Sequence, residues 1–184
     1  MARYIAPRAR ASGGALFCDR DGVLNRRNPE GYVTTPDQFE LLELALPALR
    51  QATRDGVPVV VVSNQGAIAR GLASSEEVLL VNAWMLNRLT ERGIEVDAIY
   101  VCPHHPIAID PSDRRCACRK PAPGLFLAAA ADLAIDLSRS LMLGDQPSDV
   151  AAAVAAGIPV ARALTVTGDE DPLDVSAAVT AAFG

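Results

Sequence analysis

The sequence is poor in aromatic residues and in lysine, and it lacks long apolar runs. Of its 184 residues, 4% are aromatic, and its 17 basic residues are 16 arginines and the single Lys120. No uninterrupted apolar stretch approaches the ~20 residues that a membrane-spanning helix needs. The formal net charge is −5, whereas nucleic-acid binding needs a basic face and is often supported by stacking aromatics. We therefore expect no membrane partner and no nucleic-acid partner.

Half of the residues are apolar, which is enough to bury a core, and the length fits a single domain over residues 1–184. Residues 1–14 contain Arg3, Arg8 and Arg10 but no apolar segment of the signal-peptide kind, so we expect a mobile N-terminal arm. Without a secretory signal, a cytoplasmic location is favoured. No apolar stripe is left over for a partner subunit, and we expect a monomer.

Apolar runs rich in Val, Ile and Leu alternate with segments of helical pattern. The runs that predict strands are 15–18, 57–62, 96–102, 140–143 and 158–161. Because they are continuous rather than alternating, these strands should be covered on both faces, as in a parallel sheet. The segments that predict helices are 44–54, 74–93, 123–135, 148–156 and 173–183. The predicted fold is α/β, a doubly wound, Rossmann-like parallel sheet with helices on both faces.

Three of the predicted strands end in polar residues. Asp19 and Asp21 follow the first strand, Ser63 and Asn64 follow the second, and Asp145 follows the fourth. Parallel strands bring their carboxyl ends to one rim, where such sheets bind ligands. Carboxylates gathered there repel one another unless a cation neutralises them, and Mg²⁺ prefers oxygen ligands. Each segment alone is commonly a turn or a helix cap, but their joint occurrence favours phosphoryl transfer.

Cysteine and histidine are concentrated in one segment. Cys102, His104, Cys116 and Cys118 have the spacing C-x-H-x11-C-x-C, which predicts a closed tetrahedral zinc site. Such a site would be structural and would stabilise an irregular loop that has no hydrophobic core of its own. His105 is the alternative ligand to His104, and a disulfide or scattered thiols are the alternatives to zinc.

Four segments resemble the motifs of the haloacid dehalogenase superfamily of aspartate-nucleophile phosphatases. They are Asp19-Arg20-Asp21-Gly22, Ser63-Asn64-Gln65, Arg119-Lys120-Pro121, and Gly144-Asp145 with Asp149. The resemblance covers roughly residues 15–158. The cysteine-rich loop is similar to that of the subgroup acting on heptose bisphosphates or histidinol phosphate, in which Cys-Pro-His-His-Pro leads to Cys-x-Cys-Arg-Lys-Pro.

The resemblance implies a role for each matching residue. Asp19 would attack phosphorus and form an aspartyl-phosphate, and Asp21 would protonate the leaving alcohol and then activate water. Catalytic Mg²⁺ would be held by Asp19, by the Asp21 backbone carbonyl and by Asp145, while Asp149 would orient the metal shell or Lys120. The expected phosphate-binding and substrate-binding residues are Ser63, Asn64, Gln65, Arg119 and Lys120. Arg119 would contact the distal phosphate, since an Arg fork suits that contact better than Lys.

The function that the resemblance implies is Mg²⁺-dependent removal of the 7-phosphate of D-glycero-D-manno-heptose 1,7-bisphosphate, a small sugar phosphate, in nucleotide-activated heptose biosynthesis. No separate cap domain is expected; the zinc loop and residues 26–39 would shape the pocket. Histidinol phosphate is the alternative substrate, and its imidazole and amine would need a carboxylate such as Glu30. Arg26 and Arg27 would favour a bisphosphate, although we interpret both as solvated. A phospho-accepting signalling domain and a zinc-stapled binding module with an inactive site are alternatives from other classes.

Overall fold

The computed structural model describes residues 1–6, 13–168 and 170–183, and it contains one six-stranded sheet. The strands are β1 (Ala2–Ile5), β2 (Leu16–Cys18), β3 (Val59–Asn64), β4 (Ala98–Cys102), β5 (Leu141–Gly144) and β6 (Ala163–Thr165). Their order across the sheet is β1-β4-β3-β2-β5-β6. Strands β2 to β6 pair in parallel, whereas β1 lies antiparallel to β4 at one edge.

Within the described residues, four helices connect strands and a fifth follows β6. They are α1 (Leu46–Arg54), α2 (Ser75–Thr90), α3 (Gly124–Leu133), α4 (Pro147–Ala156) and α5 (Pro172–Phe183). The start of α2 is fixed by the predicted capping box: Glu77 N donates to Ser74 Oγ at 3.1 Å, and Ser74 N donates to the Glu77 carboxylate at 2.7 Å. Helix α4 ends at Gly157, which has a left-handed φ of 108° that glycine adopts readily.

The helices cover both faces of the sheet, as predicted. Consecutive strand residues point to opposite faces, and β3 shows the result. Val59 and Val61 pack in one buried cluster with residues of α1, α2 and α5, while Val60 and Val62 pack in a second cluster with residues of α3 and α4. The expectation of a doubly wound α/β fold is confirmed, with one antiparallel edge strand added.

The expectation of a mobile arm over residues 1–14 is wrong for residues 2–5, which form β1. The four residues of β1 are all exposed, so the strand contributes no side chain to the core. It is held by backbone pairing with the edge of β4, by Ala6 N donating to Asp97 O at 2.8 Å, and by an Arg3–Asp132 ion pair of 2.7 Å. Residues 7–12 of the expected arm lie outside the described residues.

The predicted strand at 158–161 is also misplaced. Val160–Arg162 forms a 3-10 turn, and β6 begins only at Ala163, where it pairs with β5. Pro159 precedes the turn, and a proline has no N–H to give to a sheet. The strand therefore begins five residues later, and ends four residues later, than the apolar run indicates.

The topology places the carboxyl ends of β2, β3, β4 and β5 along one edge of the sheet. Two mostly irregular stretches, 26–39 and 103–121, follow strand ends at this edge, and each contains a short 3-10 turn. Within the described ranges, no separate cap domain is present. None of the helices described is both long and apolar enough to cross a membrane.

Candidate active site and metal centre

A cavity of about 420 Å³ opens at the carboxyl edge of the sheet. The predicted site residues that line it are Asp19, Asp21, Ser63, Asn64, Arg119, Lys120 and Asp149. Arg27, Asn28 and Tyr32 also line it, and they belong to the stretch 26–39 that was expected to shape the pocket. The further lining residues Arg70 and Gln146 had no predicted role. The structure thus gathers residues from all four motifs around one space, as the strand-end argument predicts.

Lys120 lies at the base of this cavity between two carboxylates. Its Nζ is 2.8 Å from Asp19 Oδ1 and 2.7 Å from Asp149 Oδ1, and it donates to Val62 O at 2.8 Å. Burial opposes the charge on Lys120, but Asp19 and Asp149 outweigh burial and raise its pKa. The single lysine is therefore a buried, charged ammonium next to the predicted nucleophile.

Burial also dominates the environment of Asp19, which follows β2. It raises the pKa of Asp19 to about 6, although Lys120 pulls the other way, and the nearby carboxylates of Asp149 and Asp21 add to the rise. A bound cation would neutralise part of the negative charge of these neighbouring carboxylates.

The donor set at the edge fits a hard divalent cation. Asp19, Asp145 and Asp149 each offer a carboxylate oxygen, and these atoms lie within 4.8 Å of one another. Carboxylate oxygens are the ligands that Mg²⁺ prefers. The Asp145 carboxylate can lie this close to the loop after β2 because residue 22 is a glycine. Gly22 has a φ of 100°, and a Cβ there would lie 2.0 Å from Asp145 Oδ2. Asp21 lines the cavity but its carboxylate is not part of this cluster.

Arg27 reaches the same carboxylate cluster. Its Nε donates to Asp145 Oδ2, and its Nη2 donates to Asp145 Oδ1 at 2.8 Å. This hydrogen bonding, opposed by partial burial, raises the pKa of Arg27. Arg27 is exposed, as expected, but it is not merely solvated because it pairs with Asp145. Arg26 is also exposed, and it pairs with Glu40 at 2.9 Å.

Asp21 is held by hydrogen-bond donors on both oxygens. Oδ1 accepts from Arg20 and from Asn25 Nδ2 at 3.0 Å, while Oδ2 accepts from Arg20 Nη2 at 3.0 Å and from Gln65 Nε2 at 2.6 Å. Burial disfavours the charged form, but Arg20 and these hydrogen bonds prevail and lower the pKa of Asp21. Asp21 is thus an oriented carboxylate at the cavity wall.

Two of the predicted phosphate-binding residues serve different contacts. Gln65 is fully buried and does not line the cavity; its amide nitrogen donates to Asp21 and, at 2.8 Å, to Ser63 Oγ. Asn64 lines the cavity, but its Nδ2 donates to Lys120 O at 3.0 Å and its Oδ1 accepts from Lys120 N at 3.0 Å. Gln65 therefore lies behind the cavity wall and contacts two residues that line it, while Asn64 lines the cavity and also holds the Lys120 backbone.

The four residues of the predicted zinc site converge, and none of them is in a disulfide. Cys102 Sγ lies 3.7 Å from Cys116 Sγ and 3.2 Å from Cys118 Sγ, and His104 Nδ1 lies 3.6 Å from Cys102 Sγ and 3.3 Å from Cys118 Sγ. Sulfur ligands arranged tetrahedrally around zinc are separated by about 3.8 Å. The donor set and its spacing fit such an ion, and they select His104 rather than His105.

The cysteine-rich cluster is connected directly to the cavity through Arg119. The Arg119 N–H donates to Cys116 Sγ at 3.3 Å, and its Nη1 donates to His104 O at 3.0 Å. The position of this cavity-lining guanidinium therefore depends on the fold of the metal-binding loop.

Comparison with known proteins agrees with this geometry. A family model described as HAD-hydrolase-like matches residues 117–183. D-glycero-beta-D-manno-heptose-1,7-bisphosphate 7-phosphatase of Yersinia pestis is 41% identical over 145 residues, which cover 78% of this chain and 76% of the relative. The chain belongs to the haloacid dehalogenase-like phosphatase family. As a member of that family, it is a phosphoric monoester hydrolase.

Two solved structures of this family are similar over most of the chain. A putative HAD-like phosphatase from Mesorhizobium loti has a TM-score of 0.85 and 34% identity, and covers 98% of this chain and 92% of its own. D,D-heptose 1,7-bisphosphate phosphatase from B. bronchiseptica, complexed with magnesium and phosphate, has a TM-score of 0.71 and 35% identity. The match covers 78% of this chain and 76% of that structure's chain.

Sequence reasoning missed several residues that surround the HAD-type site. Arg20 stands between two motif aspartates and its side chain is fully buried, where it also donates to Asn82 Oδ1 at 3.2 Å. Arg70 lines the cavity and lies over the Tyr32 ring, 5.7 Å from its centroid. The signal that could have found Arg70 is the segment Ile68-Ala69-Arg70-Gly71, which also resembles the subgroup.

Proposed function

We propose that this phosphatase removes the 7-phosphate of D-glycero-D-manno-heptose 1,7-bisphosphate through an aspartyl-phosphate on Asp19. The names of the relatives support the substrate. The observation that supports the chemistry best is the buried contact of Lys120 with Asp19, beside a cluster of three carboxylates.

The residues would act in two steps. In the first, an Asp19 oxygen forms a bond to phosphorus, the bond to the sugar oxygen breaks, and Asp21 gives that oxygen a proton. In the second, water attacks phosphorus and passes a proton to Asp21. The bond between phosphorus and Asp19 breaks, so phosphate is released and the Asp19 carboxylate is restored. Ser63 and Lys120 would bind the transferring phosphoryl oxygens.

Asp19, Asp145 and the Asp21 backbone carbonyl would hold Mg²⁺, and Asp149 would orient Lys120, as its 2.7 Å contact supports. When bound, this ion screens the carboxylate nucleophile from the phosphate dianion. Cys102, His104, Cys116 and Cys118 would hold zinc, which supplies structural support to their loop. Cysteines that ligate zinc instead of forming disulfides also support a cytoplasmic location, where thiols stay reduced.

The charge of the cavity favours a bisphosphate over histidinol phosphate. Arg27, Arg70 and Arg119 all line it, and guanidinium groups bind phosphate oxygens well. Glu30, which would favour the amine of histidinol phosphate, is exposed and does not line this cavity. We assign Arg119 to the distal phosphate because it lines the cavity wall next to Lys120.

Phosphate release from the heptose bisphosphate and from histidinol phosphate, each with added Mg²⁺, tests this proposal. We expect faster turnover of the bisphosphate, and Arg119→Ala should raise KM for the bisphosphate far more than for a sugar monophosphate. Faster turnover of histidinol phosphate would refute the substrate assignment. The expected monomer is a separate prediction, which light scattering after size-exclusion chromatography checks.

A further inference from the structure

Gln65 connects two residues of the active site through a single nitrogen atom. It follows directly after β3, and its backbone N donates to Cys102 O at 2.8 Å, which fixes it against the end of β4. Its side chain is fully buried, and Nε2 lies 2.6 Å from Asp21 Oδ2 and 2.8 Å from Ser63 Oγ. Gln65 therefore fixes the distance between a carboxylate and a hydroxyl that both line the cavity.

The amide oxygen of Gln65 shows that this arrangement lowers the stability of the fold. Gln65 Oε1 is buried and has no hydrogen-bond partner among the described residues. A buried acceptor without a partner lowers stability, and such exceptions in folded proteins call for an explanation. Here the unpaired oxygen follows from directing the amide nitrogen at both Asp21 and Ser63.

The remaining contacts of Asp21 do not provide the same link. Arg20 and Asn25 donate to its carboxylate, but Arg20 is directed into the core toward Asn82 and Val33, and Asn25 toward the Arg26 carbonyl. Among the described contacts of Asp21, Gln65 alone also contacts Ser63.

We propose that Gln65 is a positioning residue for acid–base catalysis: it fixes the Asp21 carboxyl relative to Ser63, so that Asp21 faces the oxygen that leaves phosphorus. This inference rests on the proposed function, in which the Asp21 proton moves to that oxygen as its bond to phosphorus breaks. Loss of Gln65 weakens proton delivery from Asp21 more than it weakens phosphate binding, because Lys120 would still bind the phosphoryl group when Ser63 loses its Gln65 contact.

Two aryl phosphates separate these effects, and neither depends on the assignment of the sugar. The phenolate of 2,4-dinitrophenyl phosphate leaves without a proton, whereas the leaving oxygen of phenyl phosphate benefits from one. Gln65→Met keeps the side-chain length and removes both N–H donors. We expect kcat/KM for phenyl phosphate to fall about ten- to a hundredfold, within the range of general acid catalysis. With 2,4-dinitrophenyl phosphate, kcat/KM should change less than about threefold.

The matched control is Gln51→Met, the same change on α1, where the amide nitrogen donates to Asp55 and to no other residue that the structure describes. It should keep wild-type values for both esters. Gln65→Asn, which keeps the amide but is one methylene too short to bridge, serves as a second variant if Gln65→Met does not fold. Melting temperatures of all variants are compared with the wild type.

Equal losses for the two esters, or no loss for either, would overturn the positioning role. Asp21→Asn distinguishes this failure from failure of the proposed function. If Asp21→Asn loses activity selectively with phenyl phosphate and Gln65→Met does not, only the inference about Gln65 is wrong. If Asp21→Asn shows no such selectivity, Asp21 is not the acid. The inference about Gln65 and the proposed acid–base role of Asp21 are then both wrong.

Discussion

Lys120 Nζ lies 2.8 Å from Asp19 Oδ1, and both side chains are almost wholly buried. A buried carboxylate without a cation is costly, and a buried ammonium without an anion equally so. Each therefore holds the other in its charged form at the base of the cavity. This contact joins the protein's only lysine to the proposed nucleophile.

Lys120→Met should lower the free energy of unfolding by about 3–5 kcal/mol, because it leaves two buried carboxylates without their ammonium partner. Urea denaturation in magnesium-free buffer measures this loss. The variant should also fail to release phosphate. Lys120→Arg is the companion variant, and we expect it to be inactive as well, since a guanidinium does not fit between Asp19 and Asp149 as a point charge does. Full activity of either variant would contradict the role of Lys120.

Stability without magnesium should depend on pH through Asp19. Its carboxyl binds a proton up to about pH 6 in the folded protein but only up to its ordinary value of 3.8 when unfolded. The folded state therefore holds more protons between these values, and the contribution of Asp19 to stability is lost as pH rises through that window. Asp19→Asn lacks this loss. Relative to wild type, it should gain on the order of 2 kcal/mol between pH 4 and pH 7.

The comparison of melting curves for wild type and Asp19→Asn across this pH range cancels the contributions of carboxyl groups that lie far from Asp19. A stability difference that stays constant with pH would show that burial does not raise the pKa of Asp19.

Metal removal should affect the cysteine-rich loop and the distal part of the cavity together. A chelator strong enough to extract zinc should release about one ion per chain and lower the melting temperature, since such sites stabilise their loops directly. Cys116→Ser should have the same effect and should raise KM for the bisphosphate, because Cys116 Sγ accepts from the Arg119 N–H. Cys18 lies outside the cluster, so Cys18→Ala is the control and should retain zinc. Unchanged zinc content in Cys116→Ser would contradict the ligand assignment.

Arg27 and a divalent ion should compete for Asp145, since Arg27 contacts both oxygens of that carboxylate. Arg27→Ala should remove about 1 kcal/mol in magnesium-free buffer, in keeping with a partly exposed ion pair, which is a drop of about 2–4 °C in melting temperature. With saturating Mg²⁺ the difference should shrink, and titration with Mn²⁺ followed by electron paramagnetic resonance should show tighter binding to the variant.

The neighbouring Arg26 provides the matched control, because it pairs with Glu40 rather than with the carboxylate cluster. Arg26→Ala should leave Mn²⁺ affinity unchanged. Equal Mn²⁺ affinity in Arg27→Ala and wild type would show that the Arg27 contact does not compete with the ion.

The parts of the site that could be predicted are those fixed by local spacing or by strand ends. Asp19, Ser63 and Asp145 follow apolar runs, and parallel strands bring such ends together whatever the rest of the chain does. The cysteine-rich cluster was predictable for the same reason, because its ligands are close in sequence and their chemistry is specific.

The parts that could not be predicted depend on contacts between distant segments. Arg20 is buried because it reaches Asn82 on α2, 62 residues away, and nothing in its neighbouring residues indicates that destination. Arg27 contacts a residue 118 positions away, and β1 is held by backbone pairing to β4 rather than by an apolar pattern. The bridging position of Gln65 likewise emerges only when β2 and β3 lie side by side.

The central claim is that Asp19 carries the phosphoryl group during turnover. Acid quenching of the enzyme within milliseconds of mixing with substrate and Mg²⁺, followed by peptide mass spectrometry, tests it directly. We predict one phosphoryl group on the peptide containing Asp19 in the wild type, and neither this adduct nor phosphate release in Asp19→Asn. Undiminished phosphate release by Asp19→Asn would contradict the account.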